Sequence, residues 1–412
     1  MLSAARTAGK QPFYHSVVVG GGPGGIAVLG NILENAPGQR VLWIDPHFKG
    51  GRVNASYREV PSNTKVDLFV KFANAVTPLE QIVRSTAKPN AVTALEALPQ
   101  DQGCTLGYAA DLCLMLSDGI PRQFPTVQQR LGEVADAVLK QGPQGNLWTV
   151  GLRGGTSAVT PRLILCTGSH PIPNEKQSDS PDEPEPLHLD VALTPSILAR
   201  TIDSQAPATV SVVGGSHSAI LVLMNLYKLA TTSHPHLKVK WFTRHESLRY
   251  AVYKDGWILY DNTGLKGQAA AWARENLDKD VFHSSPVSGV VQRFVTPPGE
   301  QEQRIYEQEL PGSSHVVRAI GYARNPIPKL FSEGADGAAP TPLAVEHDSE
   351  TGRFFSSPET QTRREHVPGL FGAGIAFPER RVDPYGNVEY AVGFWKFMTF
   401  LQKAVPSWLK DD

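Results

Sequence analysis

The chain has 412 residues, 41% of them hydrophobic, with 39 Lys and Arg against 40 Asp and Glu. That length accommodates two domains with sizeable cores, and so balanced a charge supplies no field for a polyelectrolyte, so nucleic acid is not expected as a partner. No apolar run approaches the roughly 18 residues that cross a bilayer, and residues 1–11, with Arg6 and Lys10, read as a short tail without the apolar centre of a leader.

The first element is an apolar strand, Ser16-Val17-Val18-Val19, running into Gly20-Gly21-Gly22-Pro23-Gly24-Gly25. Gly20, Gly22 and Gly25 have the G-x-G-x-x-G spacing: one glycine makes a tight turn, one admits a diphosphate to the backbone, one lets helix and strand pack closely. Residues 26–33 read as the helix and residues 40–45 as a second strand ending in Asp45, placed to bond a ribose hydroxyl. Strand, helix and terminal acid together favour a bound dinucleotide over a bare glycine turn. Pro23 belongs to the same turn, and in Lys49-Gly50-Gly51-Arg52 further glycines allow close backbone approach.

Residues 53–130 fall outside recognisable motifs and are expected to carry substrate specificity. Residues 60–67 read as a polar loop opening a helix over 68–75, and residues 111–116 and 124–131 as short helices that wall a pocket. Two readings stand for Asn63 and Lys65: orientation of a substrate, or an ordinary solvated helix start. Residues 133–140, which include Val134, and 147–153 flank a Gly-Pro-Gln-Gly-Asn turn and read as a hairpin. A buried strand over 162–166 then ends in Thr167-Gly168. Cys104, Cys113 and Cys166 form no C-x-x-C pair, and no Cys/His spacing suits a metal, so neither thiol redox chemistry nor a metal site is expected.

Residues 174–190, rich in acids and prolines, read as a solvated linker, with regular structure resuming near Pro195. A second apolar strand, residues 210–213, runs into Gly214-Gly215-Ser216-His217-Ser218-Ala219, in which Ser216 replaces the middle glycine. The following strand, residues 237–243, ends in Arg244 where an NAD site carries an acid; a guanidinium there suits the 2′-phosphate of NADP. A packed relic without ligand is the other reading of this half. Residues 317–326 read as a return strand and a Gly-Tyr-x-x-Asn-Pro turn, residues 368–375 as a late strand reaching Gly374, and residues 383–389 as the lead into an apolar helix ending near 401.

The Gly-Gly-Arg loop after Asp45, the Thr167-Gly168 turn, the second motif and the Gly-Tyr turn resemble the two-dinucleotide-binding-domain FAD/NAD(P)H flavoproteins. The pattern is that of a thioredoxin-reductase-like fold without its redox cysteines, and resembles the class B and N-hydroxylating flavin monooxygenases. The resemblance implies an α/β fold of two Rossmann-like, three-layer domains, with an NADP domain over 191–316 inserted in a discontinuous FAD domain over 1–190 and 317–412. It implies FAD contacts at Gly20, Gly22, Pro23, Gly25, Asp45, Gly51, Arg52, Val134, Thr167, Gly168, Gly374, Asn387 and Val388, and NADPH contacts at Gly214, Ser216, His217, Ser218 and Arg244. Ile375 stands where the family carries an acid. The implied activity is NADPH-dependent oxygenation of a small organic substrate through a C4a-hydroperoxyflavin, with molecular oxygen as co-substrate, in the cytoplasm. A reductase acting directly on an organic acceptor and a redox-idle flavoprotein remain as alternatives.

Overall fold

The computed structural model describes residues 11–142, 145–173, 183–333, 339–356 and 365–410. The expected linker therefore lies outside the described residues over 174–182. The first sheet has five parallel strands in the order His366–Gly372, Leu163–Leu165, Ser16–Val19, Val41–Asp45 and Val127–Leu131, extended on one edge by antiparallel Arg353–Ser356 and Val345–His347. Helix Pro23–Asn35, apolar and buried over most of its length, packs between this sheet and the C-terminal helix Phe394–Trp408. Parallel strands buried on both faces read as near-continuous Val, Ile and Leu, as Val17, Val18 and Val19 and Leu163–Leu165 do.

A second sheet, entirely parallel, runs Glu185–Pro186, His315–Arg318, Ala208–Val213, Leu237–Thr243 and Val291–Val295. Its helix His217–Thr232 buries Ile220, Val222, Leu223 and Leu226 in a core of its own. Two of its strands fall outside the expected bounds of 191–316: Glu185–Pro186 lies ahead of residue 191 and His315–Arg318 runs past residue 316. A third sheet, Thr341–Pro342, Lys329–Ser332, Val134–Gly142, Gly145–Leu152 and Ser157–Thr160, contains the expected hairpin. The two lobes are joined by an antiparallel ribbon of Ser169–Pro171 and Tyr322–Arg324. Asn325 ties this ribbon down, donating from Nδ2 to Thr167 O at 2.7 Å and from its backbone N–H to Gly168 O at 3.0 Å.

The two glycine turns share one support. Val18 pairs with Trp43 and Val212 with Trp241, and each indole N–H donates to the carbonyl of the first glycine of its own turn, Trp43 to Gly20 at 2.8 Å and Trp241 to Gly214 at 2.7 Å. Both tryptophans are fully buried, so each turn is fixed by a hydrogen bond that water cannot contest.

Several local expectations are corrected. Residues 124–131 are not a helix: Val127–Leu131 completes the edge of the first sheet, where Val41–Asp45 supplies its backbone partners. Residues 111–116 belong to one long helix, Leu106–Gln123. The polar loop at 60–67 is a strand, Pro61–Lys65, paired with Gly103–Thr105, and its helix starts at Val66. Residues 183–190 are structured, contributing Glu185–Pro186 and the start of helix Leu189–Leu193. Residues 383–389 lead not into the last helix but into a hairpin, Glu379–Val382 with Val388–Ala391, whose turn Gly386 makes at φ 84°; the helix begins only at Phe394.

One buried group gives the fold an acid limit. His347 packs between the rings of Phe354 and Phe377 with both ring nitrogens buried and unpartnered. Burial, reinforced by Arg324, pushes it down from 6.5 to about 4. The unfolded chain therefore binds a proton that the folded chain refuses, and stability falls as pH drops from 6.5 towards 4. Denaturant unfolding is expected to lose about 2 kcal/mol from this group between about pH 7.5 and about pH 5, a slope that His347→Leu removes.

Candidate active site

A cleft of about 3100 Å³ opens between the lobes at the carboxyl ends of both parallel sheets. Gly20, Gly22, Pro23, Asp45, Gly51, Arg52, Asn63, Lys65, Val134, Thr167, Gly168, His217, Ser218, Gly374 and Val388 all line it. Gly25, Asn387, Gly214, Ser216 and Arg244 are absent from that lining.

The three glycines of the first turn have separable roles. Gly20 adopts φ +120°, and a Cβ there would lie 2.1 Å from Cys166 O; a Cβ on Gly25 would lie 1.9 Å from Gly20 O. Both are demanded by the turn itself. A Cβ on Gly22 would meet nothing nearer than Gly51 Cα at 3.7 Å, so its open face is turned to the cleft. Gly22 is also the N-cap of Pro23–Asn35 and no side chain caps that helix, leaving its first N–H groups available to an anion. The cradle therefore fits a diphosphate.

Asp45 holds the loop together from the end of its strand. Its Oδ2 accepts from Gly21 N–H at 2.6 Å, and its Oδ1 from His47 and Phe48 N–H at 2.8 and 2.7 Å. Opposite, Thr167 carries a buried hydroxyl with no partner among the described residues, which a ligand polar group would satisfy. The strand end at Gly374 approaches the helix start so closely that a Cβ on Gly24 would come within 3.0 Å of it. Asn387 sits instead in the hairpin turn, its Nδ2 donating to Asp383 Oδ2 at 2.7 Å, while Gly393, Phe394 and Trp395 at the last helix start face the cleft.

Arg52 reaches across the lobes. Its guanidinium is ion-paired with Asp190, whose other oxygen accepts from Tyr57 OH at 3.1 Å. Burial pushes the Tyr57 phenol up, keeping it a neutral donor. Asp190 was hidden in sequence inside an acidic stretch that resembles solvated linker.

In the second turn Gly214 again has a positive φ, +138°, and a Cβ would lie 2.5 Å from Ala319 O. Ser216 is tolerated because it is an exposed N-cap residue in ordinary extended backbone at φ −109°. His217 begins the helix with a buried, unpartnered Nδ1; burial and the charge of Lys266 push it down to about 4, so it is neutral at pH 7. Arg244 follows the strand Leu237–Thr243, its Nε 2.9 Å from Glu302 Oε1, to which Tyr306 OH also donates at 3.2 Å. Asn63 touches the second lobe, since a Cβ on Gly267 at the start of helix Gly267–Asn276 would lie 3.6 Å from Asn63 Cα. Lys65 is exposed beside it.

Sequence reasoning missed Asp261, Lys266, Glu389 and Lys396, which line the same cleft. Asp261 bridges the two lysines, while Glu389 accepts from Asn262 and Thr263. No motif marks them, because residues about 130 apart in the chain meet only when the lobes are assembled. The cysteines offer little chemistry: Cys113 and Cys166 are buried, and burial pushes the Cys166 thiol up to about 12. Among the described residues no group of His, Cys, Asp and Glu is arranged to hold a metal, and no helix is long and apolar enough to cross a membrane.

No family model matches the chain. Monooxygenase AgnR1 from Paecilomyces divaricatus is 49% identical to it over 403 residues, 96% of this chain and 97% of that protein. This chain belongs to the same monooxygenase family. The solved Kutzneria sp. 744 ornithine N-hydroxylase KtzI superimposes with a TM-score of 0.58 at 13% identity, covering 96% of this chain and 99% of that one. The reduced ornithine hydroxylase PvdA of Pseudomonas aeruginosa gives 0.55 at 14% identity over 97% and 99%. The bacillithiol disulfide reductase Bdr of Staphylococcus aureus gives 0.52 at 14% over 97% and 98%. The protein is thus an oxidoreductase, a monooxygenase on the two-dinucleotide-binding-domain flavoprotein fold.

Proposed function

We propose that the first lobe binds FAD, the second binds NADPH, and the enzyme oxygenates a small organic substrate with molecular oxygen. Residues 191–316 would form the NADP domain, extended by residues 185–190 and 317–318, which share its sheet and core, and the rest of residues 1–190 and 317–412 would form the FAD domain. The observation that carries the reading is the open face of Gly22 above an uncapped helix start, at the head of a cleft shared with His217 and Ser218 of the second turn. FAD supplies the two-electron chemistry and the activation of oxygen.

The chain's own residues supply position and electrostatics. The N–H groups after Gly22 bind the diphosphate, Asp45 stiffens the loop and faces the ribose, and Thr167 and Gly168 form the opposite wall. The start of Phe394–Trp408, open to the cleft, directs the positive end of a helix dipole there and favours negative charge on a reduced cofactor. Asn63, on a strand braced by the second lobe, is placed to orient substrate, with Lys65 at the cleft wall.

The purified protein is expected to be yellow and to release all its flavin as FAD on denaturation. NADPH should bleach it without oxygen, and oxygen consumed should match oxygenated product. Turnover on an organic acceptor without oxygen would instead support a reductase, and failure of NADPH to bleach the flavin would support a redox-idle role.

A further inference from the structure

Three charged side chains meet where the lobes close on one another, and their charges do not cancel. Asp261 receives Lys266 Nζ on Oδ1 at 2.6 Å and Lys396 Nζ on Oδ2 at 2.5 Å, and each of the three side chains is only about a fifth exposed. Lys396 belongs to the first turn of Phe394–Trp408, whereas Asp261 and Lys266 belong to the second lobe. Two ammonium groups therefore share one carboxylate inside the cleft. Arg381 nearby is matched by Glu379 at 2.7 Å, and Glu389 engages Asn262 and Thr263 without an ion pair to either lysine among the described residues. Glu389 reaches the lysines only through Asn262, which accepts from Lys396 and donates to Glu389, so the two ammonium groups meet one carboxylate directly and an anion that joins them is favourable.

The anion's place is marked on the second lobe. Lys396 also donates to Asn262 Oδ1 at 2.6 Å, but among the described residues Lys266 donates to Asp261 alone. Lys266 is the N-cap of Gly267–Asn276 and its charge falls on His217, the first residue of His217–Thr232. That helix start has no side-chain cap, and His217 Nδ1 is buried beside it without a partner. Uncapped N–H groups, an unmatched ring nitrogen and a neighbouring ammonium together make an anion site.

We infer that Lys266 is a counter-ion for the diphosphate of the dinucleotide on the second lobe, shared between that diphosphate and Asp261. This rests on the proposed nucleotide role of that lobe. When Lys266 turns to the diphosphate, Asp261 keeps Lys396, so no carboxylate is left buried and unpaired. Nucleotide binding thereby draws on a cation that otherwise joins Asp261 at the junction of the lobes. Because NADPH and NADH share the diphosphate, Lys266 serves both, unlike Arg244.

Calorimetric titration of the FAD-loaded protein with NADP⁺ and NAD⁺ tests this without turnover. Lys266→Gln is expected to weaken both nucleotides by about tenfold, one charge-assisted contact, with flavin content and melting temperature unchanged. Lys266→Arg should recover most of the loss, and Arg244→Ala should weaken NADP⁺ alone. Unchanged nucleotide affinity in a folded, FAD-loaded Lys266→Gln protein overturns the assignment, as does a loss confined to NADP⁺ or to substrate. Wild-type protein that binds neither nucleotide overturns the nucleotide reading of the second lobe itself.

Discussion

Gly22→Val is expected to give a folded chain that no longer retains FAD, whereas Gly20→Ala and Gly25→Ala fail at the level of the fold. The difference follows from what each new side chain meets. At Gly20 and Gly25 the first carbon already lies 2.1 and 1.9 Å from a backbone carbonyl oxygen, and Gly20 also has φ +120°. Those contacts are with backbone at Cys166, just past its strand, and with the turn itself at Gly20, neither of which has room to shift, so the turn and the core behind it are lost together. At Gly22 the backbone is extended, φ −87° and ψ −172°, and the nearest atom to a Cβ is 3.7 Å away. Valine accepts that conformation, and its branches project into the space above the free N–H groups, where the diphosphate must approach. The ratio of flavin to protein after gel filtration should fall to near zero in Gly22→Val, with the cooperative unfolding of the wild-type apoprotein preserved. Retention of FAD in that variant would remove the main support for the proposed site.

The same contrast explains what was legible in the sequence. The parallel sheets announced themselves through runs such as Val17, Val18 and Val19 entering a glycine turn, because a strand buried on both faces and a turn with positive φ each restrict residue choice locally. The segments misjudged were those decided by distant partners. Residues 127–131, Val-Gln-Gln-Arg-Leu, carry little intrinsic signal and become a strand because Val41–Asp45 presents an open edge. Pro61–Lys65 is extended through its pairing with Gly103–Thr105, about forty residues on, where a Cβ on Gly103 would strike Ser62 O at 2.4 Å. Residues 383–389, Asn387 among them, read as the lead into a helix because Asp, Pro, Tyr, Gly and Asn serve caps and hairpin turns alike. The motif residues on the cleft floor were readable one by one, but the charges on its far wall were not. Asp190 against Arg52, and Asp261 against Lys266 and Lys396, are products of how the lobes meet.

The choice of reductant should rest on Arg244, with NADPH reducing the flavin at a much lower half-saturation concentration than NADH. A charge-assisted hydrogen bond to the 2′-phosphate contributes on the order of 1.5–3 kcal/mol, so Arg244→Ala should weaken NADPH by about one to two decades and leave NADH nearly unchanged. Glu302 places the effect towards the upper end. In the folded protein the Arg244 guanidinium, 63% exposed, lies 2.9 Å from a Glu302 carboxylate that is only 15% exposed and held by Tyr306. The phosphate must share the guanidinium with that carboxylate, and once the arginine is gone the carboxylate remains to repel the phosphate. Glu302→Gln alone should therefore tighten NADPH, and the double variant Arg244→Ala with Glu302→Gln should recover part of the single variant's loss. Anaerobic rapid mixing with each nucleotide reads all four proteins directly. Equal half-saturation for NADPH and NADH in the wild type would refute the role of Arg244, and an Arg244→Ala loss that Glu302→Gln fails to relieve would refute the competition between carboxylate and phosphate.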